Sequence, residues 1–189
     1  LGEGVVVGII DTGINQRSPS FAEIDPLSGF TFSNPLGQGN YLGQCRAGGV
    51  DAGRCNDKLI GGHDFVFNAV CTPNTPATDP CRPGGTFREE ASFGDNDGHG
   101  SHAAGSAIGN TRFVSFRGNS LEISGIAPRA HVVAYDACYT VIATGQGLCP
   151  NVATLASINQ AVIDGVDVIN YSIGGGAQPW SEAISQAFL

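Results

Sequence analysis

Residues 5–10 read Val-Val-Val-Gly-Ile-Ile and run straight into Asp11-Thr12-Gly13. A stretch this short and apolar, without the alternation of a half-exposed strand, is expected to be a strand buried on both faces. Leu59 to Val66, His131 to Ala137 and Val166 to Ile173 are further strand candidates, the last leading into Gly174-Gly175-Gly176. Helical segments lie between them. His99 to Ile108 is built of Gly, Ala and Ser, so its neighbours must approach closely. Val152, Leu155, Ile158 and Val162 recur at helical spacing before a stop at Gly165, and Ser181 to Leu189 begins another helix. Strands alternating with helices imply an α/β three-layer sandwich around a mostly parallel sheet. Residues 15–57 and the Pro-rich stretch 68–96 lack periodicity and read as loops and short elements. With no internal repeat and no linker, residues 1–189 read as one domain. The final helix has barely two turns and no C-cap signal, so the chain reads as truncated. Strand edges and apolar faces left bare would then favour self-association.

Composition narrows the partners. The net charge is −8 with Lys58 as the one lysine, which argues against nucleic acid, whose phosphates call for clustered Lys or Arg. No apolar run approaches the ~18 residues of a membrane span. The six cysteines fall as Cys45/Cys55, Cys71/Cys81 and Cys138/Cys149, at separations of 10, 10 and 11. Each pair brackets a Gly-, Pro-, Asn- or Asp-rich stretch, so three local disulfides are the simplest reading, and they imply an oxidising compartment. Metal-type cysteine spacings are missing. Leu1-Gly2-Glu3-Gly4 leads directly into the first strand without a signal peptide, as in the mature form of a secreted protein.

Two short motifs carry chemistry. Asp11 stands at the carboxyl end of a buried strand, where the functional groups of parallel sheets gather. Gly13 permits a tight turn that leaves the carboxylate facing a cleft, although an aspartate there also serves as a turn cap. His99 follows Gly94-Asp95-Asn96-Asp97-Gly98, with Asp97 available as a helix cap. The positive end of a helix depresses an imidazole pKa, and a neighbouring carboxylate counters that. An Asp–His pair of this kind orients the imidazole to take a proton from a hydroxyl. His102 could pair with His99 on a metal, but the zinc-protease signature spaces its histidines differently and places a glutamate between them. No metal ligand is therefore assigned, and His102 reads as a packed, hydrogen-bonded support.

Asp11-Thr12-Gly13-Ile14, His99-Gly100-Ser101-His102-Ala103-Ala104-Gly105 and Asp167-Val168-Ile169-Asn170-Tyr171-Ser172-Ile173-Gly174-Gly175 together resemble three ordered blocks of the subtilisin-like serine proteases. Lys58-Leu59-Ile60-Gly61-Gly62, Gly125-Ile126-Ala127-Pro128-Arg129-Ala130 and Ala161-Val162-Ile163-Asp164-Gly165-Val166 extend the likeness along nearly the whole chain. The order Asp before His is that of subtilisin among the convergent triads. The resemblance implies a subtilisin-like fold and the N-terminal portion of a secreted endopeptidase domain, and the cysteine-bracketed loops resemble those of the branch carrying a protease-associated domain. It makes Asp11 the triad acid and His99 the general base. Ser172, Ile173 and Gly174 become the edge of the specificity pocket, and Gly147 and Leu148 the opposite edge that binds a peptide as an added strand.

Ser101 stands where the family more often has Thr. The family's oxyanion Asn and its Gly-Thr-Ser-Met-Ala-type nucleophile loop have no counterpart among the 189 residues, so this polypeptide alone is expected to be inactive. No cofactor is required, and the aspartate-lined calcium loops of some members are not recognisable, which leaves calcium open. A non-catalytic, subtilase-like binding module is the alternative. A dinucleotide site at Gly174-Gly175-Gly176 lacks the G-x-G-x-x-G pattern.

Overall fold

The structure is a computed structural model and describes residues 1–175 and 180–189; Gly176, the last of the glycine run, lies outside the described residues. Five parallel strands form the central sheet in the order β10-β1-β7-β3-β2: β1 (Val6–Asp11), β2 (Leu42–Gly43), β3 (Leu59–Asp64), β7 (His131–Asp136) and β10 (Val168–Tyr171). The helices are α1 (Phe67–Val70), α2 (His99–Ile108), α3 (Asn151–Asp164) and α4 (Ala183–Ala187). Helix α2 covers one sheet face and α3 the other, giving three layers. Val7, Ile9, Leu59, Val132 and Ala134 point to the α2 side and pack with Ala104 and Ile108. Ile10, Ile60, Val133 and Tyr135 point to the α3 side and pack with Ala153, Ile158 and Ala161. This alternation along each strand follows from the pleat, and burial of both sets explains why the strands read as unbroken apolar runs.

Helix α3 forms where the spacing predicts it, but on a different face. Val152 and Val162 are 66% and 72% exposed, whereas Ala153, Thr154, Ser157, Ile158 and Ala161 are buried. Small side chains let the helix axis come close to the sheet, so the larger residues flanking that narrow stripe turn outward. Two segments read as loops, or not assigned at all, are strands. Within the Pro-rich stretch β4 (Phe87–Arg88) joins β8 (Tyr139–Val141) and β9 (Gln146–Leu148) in an antiparallel sheet of order β4-β8-β9. The other is a hairpin of β5 (Arg112–Phe116) and β6 (Asn119–Ile123), turned by Arg117 and Gly118 at φ +50° and +79°. Positive φ at both turn residues matches the twist of the flanking strands.

The three disulfides join Cys45 to Cys55, Cys71 to Cys81 and Cys138 to Cys149. The last ties the residue after Ala137 to the end of β9. Lys58 is fully buried at the start of β3, its Nζ donating to the carbonyls of Pro128 (2.8 Å) and Ala130 (3.2 Å) and lying 4.2 Å from the Phe32 ring centroid. Burial lowers its pKa to about 7, against an opposing pull from Asp25. Lys58→Met keeps the stem but strands two buried carbonyls. It is expected to destabilise the fold by about 2–4 kcal/mol, measured by urea unfolding.

Candidate active site

Asp11 is the last residue of β1, and Gly13, two residues on, has φ +86°, a left-handed conformation that favours glycine. A Cβ on Gly13 would lie 2.6 Å from the Phe93 carbonyl oxygen, so the turn has no room for a side chain. Helix α2 begins at His99 and approaches this turn closely. A Cβ on Gly100 would overlap the Gly13 carbonyl oxygen. Glycine at both positions is what allows two segments 88 residues apart to meet.

They meet through one short contact: His99 Nδ1 lies 2.7 Å from Asp11 Oδ1. The Asp11 side chain is 1% exposed and that of His99 is 53% exposed. Asp11 Oδ1 also accepts the Thr12 amide at 2.8 Å. With the carboxylate accepting, the imidazole carries its proton on Nδ1 and presents an acceptor lone pair on Nε2. The hydrogen bond to Asp11, then the charge of Asp11, raises the His99 pKa above its ordinary value; burial opposes, and Asp97 and Asp95 add to the rise. The carboxylates thus outweigh the burial that would depress it.

Helix α2 is not capped as the sequence suggests. Its N-cap is Gly98 in a left-handed conformation without a side-chain cap bond, and Asp97 contributes only a 3.2 Å contact to the His99 amide. His102 departs from expectation too. It is exposed rather than packed, with no side-chain hydrogen bond among the described residues. The reason is its position one turn along α2 on the solvent side, beside His99, Ala103, Ser106, Ala107, Asn170 and Ser172 around a cleft of about 450 Å³.

Of the expected substrate-binding residues, Gly147, Leu148 and Gly174 line a second, larger cleft of about 640 Å³, whereas Ser172 lines the cleft beside His99 and Ile173 lines neither. Gly147 and Leu148 belong to β9, whose pairing with β8 occupies one edge and leaves the other open. Gly174 and Gly175 line the opposite side, with Glu182 to Ser185 closing it. Ser172 and Gly174 are exposed; Ile173 is partly buried against the α3-side core, and the Ser172 hydroxyl donates to Asn170 Oδ1 at 3.0 Å.

Sequence reasoning missed a second His–Asp pair, His63 Nε2 at 2.9 Å from Asp164 Oδ2, with Tyr135 Oη donating to the same oxygen at 2.8 Å. It lies on the opposite sheet face, where His63 stacks on Tyr135 at 5.4 Å. Also missed is a row of acids. Asp11, Asp136 and Asp64 are register partners at the ends of β1, β7 and β3, so all three side chains leave the same face. Only strand register reveals that row. Among the described residues, one group of three ligand-type side chains has its atoms within 4.8 Å: Cys71, Asp79 and Cys81, with both sulfurs spent in a disulfide.

Residues 2–188 match the model of the subtilase family, peptidase S8. The chain belongs to the subtilase family. Among its relatives from Arabidopsis thaliana, subtilisin-like protease SBT2.1 is 39% identical over 181 residues, covering 94% of this chain and 20% of the relative. Subtilisin-like protease SBT2.4 is 34% identical over 187 residues, again 94% of this chain and 20% of the relative. Subtilisin-like protease SBT1.4 is 35% identical over 185 residues, covering 94% and 21%. This subtilase chain therefore spans about one fifth of the length of the curated relatives it matches. Its five-stranded parallel sheet is the fold expected of the family, and no described helix is long and apolar enough to cross a membrane.

Proposed function

We propose that residues 1–189 are the N-terminal portion of the catalytic domain of a secreted serine endopeptidase, contributing the triad acid Asp11 and the general base His99. The observation that carries this is the 2.7 Å contact between a buried carboxylate and a half-exposed imidazole at the carboxyl end of a parallel sheet. The serine nucleophile and the oxyanion donor come from a part of the protein outside these residues. His99 Nε2 takes the proton of that serine as it attacks the scissile carbonyl, and later returns it to the leaving amine. Asp11 stabilises the imidazolium formed in between.

Substrate binds as an extended peptide in the cleft between the open edge of β9 and Ser172-Ile173-Gly174. Backbone pairing there supplies affinity without regard to sequence, and glycines at 147 and 174 let the peptide approach. The names of the relatives support peptide or protein substrates, and three disulfides support an extracellular location.

The test is covalent. The full-length protein is expected to be inactivated by a serine-directed phosphonylating reagent, with the label recovered on a peptide outside residues 1–189. The purified 189-residue chain is expected to leave casein uncut at every pH. Casein cleavage by that chain, abolished by His99→Ala, would show that the nucleophile lies within it and would refute the division of the site.

A further inference from the structure

The sequence directs attention to Asp97 as the residue that prepares the helix of His99, but the hydrogen bonds converge on Asp95. We propose that Asp95 is the positioning residue of this site, the group that holds the Asp11 turn and the His99 helix in one frame. The inference rests on the protease reading of Asp11 and His99.

One oxygen of Asp95 serves the acid side and the loop. Oδ1 accepts the Thr12 hydroxyl at 3.0 Å and the amides of Asp97 (3.0 Å) and Gly98 (2.7 Å). The other serves the base side: Oδ2 accepts the Ser101 amide at 2.8 Å and the Ser101 hydroxyl. Two further bonds close the circuit. The Gly100 amide donates to Thr12 Oγ1 at 2.8 Å, and the Asn15 amide donates to Ser101 Oγ at 2.8 Å. Thr12 adjoins Asp11, Gly100 adjoins His99 and Ser101 follows Gly100, so each end of the circuit lies within two residues of a group in the Asp–His pair.

The first turn of a helix leaves its amides without internal partners. In α2 those of Gly100 and Ser101 are taken by Thr12 and Asp95, not by a cap residue of the helix itself. The helix start is therefore anchored to the acid's own turn. Five donors converge on this one carboxylate, and bonds from several donors to a carboxylate are stronger and shorter than bonds between neutral groups. Asp95 touches neither substrate nor reacting atoms. Its effect is to fix where Nδ1 meets Oδ1, and misplacement by about 1 Å in such a constellation costs on the order of 100-fold in rate.

The test separates position from charge. Asp95→Asn removes a negative charge that raises the His99 pKa, so the titration midpoint of His99 is expected to fall. That component vanishes on the alkaline plateau, where His99 is neutral in both proteins. In the full-length enzyme the plateau kcat is nevertheless expected to fall about 10- to 100-fold, with KM changed less than about threefold. Ser101→Ala and Thr12→Val, each cutting one arm of the circuit, are expected to lower the plateau kcat about fivefold or more, and Ser101→Thr to restore it by keeping the hydroxyl. These two variants carry the test if Asp95→Asn does not fold. A wild-type plateau kcat in folded Asp95→Asn, with only a lower melting temperature, would overturn the inference. His99→Ala in the same series distinguishes the two failures: if it stays active, the protease reading itself is wrong.

Discussion

His99→Ala in the full-length protein is expected to reduce kcat for peptide hydrolysis by about 10⁶, and Asp11→Asn by about 10⁴, with KM little changed in either; these are the magnitudes known for subtilisin and related triads. The unequal losses follow from the geometry. In the proposed mechanism His99 moves the proton, so without it the serine would remain a weak nucleophile. Asp11 orients the ring through Nδ1 at 2.7 Å and stabilises the imidazolium, so Asp11→Asn leaves a base in place with its tautomer misassigned.

The pH dependence gives an independent reading. A general base must be unprotonated, and the bond to Asp11 raises the His99 pKa. The acid limb of kcat/KM is therefore expected above the ordinary imidazole midpoint of ~6.5, and to move down in Asp11→Asn. Activity of His99→Ala above about a tenth of wild type would remove His99 from the chemistry. An acid limb unmoved by Asp11→Asn would detach it from His99.

The features legible in the sequence are those that depend on local pattern. The strands β1 and β7 are legible because burial on both faces leaves unbroken apolar runs. The three cysteine pairs are legible because each closes a short loop. The meeting of Asp11 and His99 is legible only through the ordered motifs, since nothing local in either one specifies the other. Features fixed by register and tertiary packing escape. The β5/β6 hairpin contains Arg117-Gly118, not the Asn-Gly or Asp-Gly dipeptide that signals such a turn. The buried face of α3 is set by how closely Ala153, Ser157 and Ala161 let it approach the sheet, a choice its apolar spacing does not record. The role of Asp95 over Asp97 depends on which carboxylate faces Thr12 across 83 residues of chain.

Register also produces the acid cluster, and with it a stability that is expected to decline as the pH rises from about 5 to 7. Asp136 is fully buried, its Oδ2 has no partner, and its neighbours in charge are Glu89 and Asp64. The hydrogen bonds to these carboxylates come from backbone amides: Val66 and Phe67 to Asp64, Glu90 to Glu89, and Cys138 to Asp136. None of the three carboxylates forms an ion pair among the described residues. Burial first, and the neighbouring acids after it, raise Asp64 to about 6, Glu89 to about 8, and Asp136 well above the carboxylate range. Asp51 adds to Asp64, Glu90 to Glu89, and Asp95 to Asp136.

In the unfolded chain these acids release their protons near pH 4, whereas the fold retains them to higher pH. The folded state therefore binds more protons through this window, and linkage makes stability fall as pH rises. His99, with its raised pKa, acts in the same direction above ~6.5. His131 and Lys58, both lowered by burial, act oppositely, Lys58 only above about 7. Asp25, lowered to about 2, sets the acid boundary, since its contribution is lost only as pH drops below ~4. The expected maximum lies near pH 4, and between pH 5 and 7 the loss is at least about 2–3 kcal/mol, or roughly 5–10 °C in melting temperature. Asp136→Asn, which replaces the fully buried acid by a neutral amide of the same shape, is expected to flatten that slope. Thermal unfolding followed by circular dichroism at half-unit pH steps checks both. A melting temperature that climbs from pH 5 to 7 would mean the cluster is neutralised by something other than its own protons.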